Sequence, residues 1–161
     1  MLFDDGDIVR GLGFVTLYSA WIEEALDGLL HTMATVEPFD ERKQRWPISR
    51  KLKSAIELVR RLNSGDFDSL LKALEAAVLL FEKRNELVHG RIYAGRDQND
   101  YIQSGRLNIP TRPITSAELY ELANKFWAHK GKIIGLQFPH LSRAVKAFQN
   151  GRFKLRHKSG R

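Results

Sequence analysis

At 161 residues, with 43% hydrophobic and 28% charged positions, the chain suits one soluble domain with a sizeable core. It contains no cysteine, which excludes disulfides and thiolate metal sites and is compatible with a reducing compartment. The net charge of +7 is unevenly placed: residues 122–161 hold 10 Lys/Arg and no acid, leaving 16 Lys/Arg against 19 acids elsewhere. Such a basic last quarter points either to a polyanionic partner or to a solvated, flexible tail over residues 151–161. Met1 to Asp7 is acidic, unlike a secretory signal, and the longest apolar run, residues 76–81, is far too short to span a bilayer. A cytoplasmic protein without membrane association is expected.

Ile8, Leu12, Val15, Ile22, Leu26, Leu29 and Met33 keep a helical stripe and predict a first long helix from about Asp7 to Thr35. A polar connection containing Pro38 follows. Pro47 suits the first turn of a second helix carrying Leu52, Ile56, Leu58, Val59 and Leu62. Asn63-Ser64-Gly65-Asp66 is a stop-and-restart signal, with Asp66 as N-cap of a third helix that runs to His89 and ends at Gly90. Residues 91–113 are rich in turn formers, and Arg91-Ile92-Tyr93 could pair with Arg106-Leu107-Asn108-Ile109 as a small hairpin. Thr115-Ser116-Ala117-Glu118 is a capping box that opens a fourth helix through Leu119, Leu122, Phe126 and Ile133, and residues 139–148 make a short fifth. No internal repeat or second domain is visible. The expected architecture is all-α, an antiparallel helical bundle of four to five helices with a short irregular or hairpin insertion, over residues 1–150.

The most informative stretch closes the third helix: Arg84-Asn85-Glu86-Leu87-Val88-His89-Gly90. At about 100° per residue, Leu70, Leu71, Leu74, Ala77, Val78, Phe81 and Val88 share one sector, opposite Lys72, Glu75, Glu82, Lys83 and Glu86. Arg84, Asn85 and His89 project into the apolar sector. Burying an unpaired guanidinium or imidazole is costly, so these groups should have partners or line a cleft. The bland alternative makes Arg84 and His89 a C-terminal cap on the last carbonyls, with Asn85 a satisfied core amide. Elsewhere His31, four residues after Asp27, reads as a surface helix pair. His129, His140 and His157 have no carboxylate or His at metal-ligand spacing, so neither metal nor cofactor is expected. Gly11 and Gly13 lack the context of a phosphate loop. Trp21, Trp46 and Trp127 suit a core or a dimer contact better than base stacking.

Arg84-Asn85-x-x-x-His89, at the end of a late bundle helix, resembles the signature of the HEPN superfamily (higher eukaryotes and prokaryotes nucleotide-binding). The long first helix with Trp21-Ile22-Glu23 is similar to that family's opening helix, and the resemblance covers roughly Asp7 to Phe148. It implies a metal-independent endoribonuclease, a toxin or defence effector whose composite site forms in a homodimer, with RNA as substrate and a cognate antitoxin as partner. It equally admits a noncatalytic module that binds a nucleotide or a protein. Toxins of the family paired with a nucleotidyltransferase-type antitoxin often carry a Tyr two residues after the His; here Arg91 holds that position and Tyr93 lies two further on.

The chemistry suits these side chains independently. RNA cleavage by its own 2′-hydroxyl needs a base, an acid for the 5′-oxygen and positive charge on the phosphorane. An imidazole serves as base or acid, and a guanidinium offers a fork of donors matched to phosphate oxygens. Asn85, one turn before His89, could orient the ring, while Glu23 could pair with Arg84 or position it. Arg84 and His89 diverge by about 140° on an ideal helix, so only the long Arg stem or a distortion at Gly90 would bring both to one phosphate. One His per chain also favours a symmetric dimer with both motifs on a shared cleft. Tyr93, close behind the motif, is a supporting candidate.

Overall fold

Aspartate, proline and threonine fix where the helices begin. The computed structural model describes residues 1–62, 67–95, 100–105, 109–137 and 141–149. Among these are six helices, α1 (Ile8–Thr32), α2 (Glu41–Gln44), α3 (Ile48–Leu62), α4 (Asp68–His89), α5 (Ser116–Gln137) and α6 (Leu141–Gln149), and three strands, β1 (Arg91–Tyr93), β2 (Tyr101–Gln103) and β3 (Arg112–Pro113). Asp7 Oδ1 accepts from the Arg10 amide at 2.9 Å and Asp40 Oδ1 from the Lys43 amide at 2.9 Å, each satisfying a free donor of a first turn. The Pro47 carbonyl accepts from Arg50 and Lys51 to start α3. Thr115 Oγ1 accepts from the Glu118 amide at 3.2 Å at the head of α5.

The fold is the expected all-α bundle with a short β insertion. Two details differ. The short helix α2 was hidden behind Pro38, because four residues are too few to show periodicity. The hairpin partner of β1 is Tyr101–Gln103 rather than the segment from Arg106 to Ile109, and β3 adds a third antiparallel strand in the order β1-β2-β3. Asp66, Arg106, Leu107, Asn108, Pro139, His140 and the tail of residues 151–161, His157 included, lie outside the described residues.

The chain divides into two compact units. One comprises Met1–Trp21 and Leu79–Ala128. Its buried side chains include Val15, Leu87, Ile102, Ile114, Leu119 and Phe126, with Phe81 edge-on to Phe126 at 5.3 Å. Tyr18 stacks on Trp21 at 4.9 Å, and both rings adjoin Trp127, whose side chain remains half exposed. The N-terminal arm is tied to α5: the Leu2 amide donates to Asn124 Oδ1 at 2.8 Å, and the Tyr120 hydroxyl to Asp5 Oδ1 at 2.6 Å. Burial first, then that bond to a carboxylate, pushes the Tyr120 phenol up to about 12.

The other unit comprises Ile22–Val78 and His129–Arg161. Ile22, Leu26, Leu29 and Met33 are wholly buried along α1, as their spacing predicts. On α3, Leu52, Ala55, Leu58, Val59 and Leu62 are buried, and so is Lys51, which is 2% exposed. Its ammonium donates to Glu23 and Asp27, at 3.0 Å each. Burial alone would lower its pKa, but the bonds to Asp27 and Glu23 outweigh it and leave Lys51 above its ordinary value. With Asp27 engaged there, His31 is not the Asp27 pair expected; its ring lies 3.2 Å from the Gln44 amide nitrogen and edge-on to Phe39. His129 is structural, its Nε2–H donating to the Ala73 carbonyl at 2.7 Å.

Candidate functional site

The buried stripe of α4 runs through Leu70, Leu74, Ala77 and Phe81 and then shifts. Helical spacing continues it to Val88, yet Val88 is half-buried and Leu87 is buried instead. The reason lies in the insertion. Ile102 of β2 is 2% exposed and packs on Gly90, where a Cβ would overlap its side chain. Tertiary cover, not helix period, therefore sets the buried side at this end. Arg84 and Asn85 are half-buried, and His89 is exposed rather than turned into a core.

The motif side chains join as a pair and a neighbour. Arg84 Nη1 donates to Asn85 Oδ1 at 3.1 Å, while Arg84 Nε is buried without an acceptor among the described residues. An orphaned buried donor is uncommon in a folded chain. Asn85 thus holds Arg84 and not the imidazole, and no described residue hydrogen-bonds the His89 ring. The Glu23 carboxylate is engaged by Lys51 at 3.0 Å. Tyr93 lies on β1, stacked against Tyr101.

An open pocket of about 780 Å³ brings Asn85 and His89 together with Glu82, Lys83, Glu86 and Ser104, and with Leu79 and Ile109 as its apolar wall. Arg84 and Tyr93 are not part of its lining. Glu86 is compensated: Arg112 donates Nε to it at 2.7 Å while its two terminal nitrogens grip Glu118 at 2.7 and 2.8 Å. These bonds, to Glu118 first, hold the Arg112 guanidinium well above its ordinary pKa. They also explain why the capping box is only half formed: the Glu118 carboxylate is committed to Arg112. Among the described residues no group of three or more His, Asp or Glu side chains converges in metal-ligand fashion.

Three contributors escaped the sequence. Tyr101 carried a usable signal, since Tyr101-Ile102-Gln103 repeats the polar-apolar-polar alternation of Arg91-Ile92-Tyr93. Lys51 also carried one, sitting four residues before Ala55 and seven before Leu58 on an otherwise apolar stripe. Arg112 carried none, since its partners are fixed by tertiary structure. Comparison with protein-family profiles, curated proteins and solved structures yields no match.

Proposed function

We propose that the protein is a metal-independent endoribonuclease of HEPN type, a cytoplasmic toxin or defence effector restrained by an antitoxin, with a composite active site at a homodimer interface. One observation supports this most: His89 stands exposed in a pocket beside Asn85, which in turn holds the Arg84 guanidinium. His89 would move protons between the 2′-hydroxyl and the 5′-oxygen. Arg84 would bring its charge and its terminal N–H donors to the phosphate. Asn85 would fix Arg84 rather than the imidazole. A second chain would supply the second imidazole that a two-proton mechanism uses.

A noncatalytic module of the same family, binding a nucleotide or a protein partner, is favoured by a different observation. Glu82 and Glu86 line the pocket and would repel a phosphodiester wherever Arg112 does not compensate them. Incubating the protein with RNA in EDTA decides between the readings. The ribonuclease yields fragments ending in 2′,3′-cyclic phosphate, and His89→Ala yields about 10² to 10⁴-fold fewer; RNA left intact by the wild-type protein overturns it.

A further inference from the structure

The outer face of the three-stranded sheet carries an aromatic row. Side chains alternate along a strand, so Arg91 and Tyr93 share one face of β1 and Ile92 takes the other. The register sets Tyr101 opposite Tyr93, Gln103 opposite Arg91 and Pro113 opposite Tyr101. One face therefore holds Ile92, Ile102 and Arg112, which seal the insertion. The other presents Tyr93, Tyr101 and Pro113 in a row, with Arg91 and Gln103 in the next, and all five are exposed.

The two tyrosine rings stack at 5.3 Å with planes 20° apart, yet Tyr93 is 37% and Tyr101 38% exposed. A water-facing sheet surface is ordinarily polar, so two adjacent aromatic rings leave apolar surface in solvent without burial to offset it. No described residue pairs with the Arg91 guanidinium one row away. Aromatic rings beside a cation on a small sheet recognise one chemistry well: an unpaired base stacks on a ring and its phosphate meets the guanidinium. Gln103 adds donors and an acceptor for a base edge. Tyr93 lies four positions after His89, at most about 14 Å of extended chain, so a single strand could reach both.

We propose that Tyr93 and Tyr101 form a stacking platform for an unpaired base of single-stranded RNA, with Arg91 holding the adjacent phosphate. This rests on the ribonuclease reading for its substrate, and it assigns that substrate a single-stranded segment beside the motif. Cross-strand tyrosines also hold β1 to β2, so the test must separate stacking from support.

The probe is a short oligoadenylate with 2′-O-methyl riboses, which cannot be cleaved, containing one 2-aminopurine. Wild-type protein and Tyr93→Phe should quench the fluorescent base and bind alike. Tyr93→Leu and Tyr101→Leu keep an apolar cross-strand contact but cannot stack a base; they should lose the quenching and weaken binding by about 5-fold or more. Arg91→Ala should weaken binding and flatten its salt dependence while retaining the quenching. Equal binding by the Phe and Leu variants, no quenching by the wild type, or a preference for a proline-rich peptide over the oligonucleotide would each overturn the platform. Quenching by a protein that cleaves no RNA retains the platform and removes the ribonuclease. Cleavage of ordinary RNA that is unchanged in Tyr93→Leu does the reverse.

Discussion

Ile102 lies so close to Gly90 that a side chain at position 90 would meet its Cγ1 at 2.6 Å and the Glu86 carbonyl oxygen at 2.8 Å. The β insertion is thus seated on the residue that follows the motif histidine, and the missing Cβ is what allows it. Gly90→Ala should destabilise the protein by about 1–3 kcal/mol through overpacking. In an Ile102→Ala background the same substitution should cost less, because one of its two obstacles is gone. Urea denaturation of the four proteins measures the coupling, and strictly additive losses would contradict the contact.

Arg112 reaches from β3 to Glu86 of α4 and Glu118 of α5, the latter through a two-pronged grip. A lysine has no planar fork and cannot satisfy both carboxylates, so Arg112→Lys should not behave as a conservative change. These side chains are about a third exposed, and solvent screening limits the loss to about 1 kcal/mol. The loss should shrink in high salt. The salt dependence of the melting temperature, compared between wild type and variant, reads it directly.

The buried Lys51 separates a structural role for Glu23 from a catalytic one. Glu23→Gln removes one of its two carboxylates and should lower stability, while cleavage of RNA by the folded protein stays unchanged. Because the folded-state pKa of Lys51 lies above the unfolded 10.5, its contribution is fully present below 10.5 and is lost as pH rises through the folded value. Glu23→Gln should therefore narrow the stable range on the alkaline side. Loss of cleavage with unaltered stability would return Glu23 to the active site.

The helical part of the fold was legible because long amphipathic helices repeat one signal many times. Val15, Ile22, Leu26, Leu29 and Met33 are fully buried where a 3.6-residue period puts them. The insertion was only half legible. Strands of two or three residues carry little periodicity, and the partner of β1 depends on Ile102 finding Gly90. The motif residues stood out by type and spacing, but their environment did not: the helix period places His89 toward the core, and the insertion leaves it exposed. Glu23 sits on α1 next to the buried stripe, and only the position of Lys51 on α3 shows which cation it serves.

His129 gives the fold an acid-side limit. Burial first lowers its pKa below the ordinary 6.5, against the opposing pull of its bond to the Ala73 carbonyl. The unfolded chain thus binds the proton more readily than the folded one. Stability should be full above about pH 6.5 and fall as pH drops below it, until the folded value is passed. His129→Gln can still donate to the Ala73 carbonyl and does not titrate, so it should remove that part of the acid loss. Melting temperatures from pH 7 to pH 5 for the two proteins would show it; parallel curves would mean that other groups set the limit.

The motif itself makes the last prediction, because its three side chains stand in different surroundings. His89 is exposed and bonds to no described residue, so His89→Ala should change stability by less than about 0.5 kcal/mol. If it transfers protons, the same change should lower cleavage about 10² to 10⁴-fold with RNA binding intact. Arg84 is half-buried and tied to Asn85, so Arg84→Ala should lower stability, binding and rate together. Asn85→Ala then becomes the discriminating variant. It leaves both chemical groups in place but frees the guanidinium, and should cut the rate while shifting the pH profile little, since Asn85 does not touch the ring. A capping role predicts the opposite order, with His89→Ala melting several degrees early and no cleavage to lose. Melting curves and initial rates for the three alanine variants, measured in EDTA, separate the two accounts.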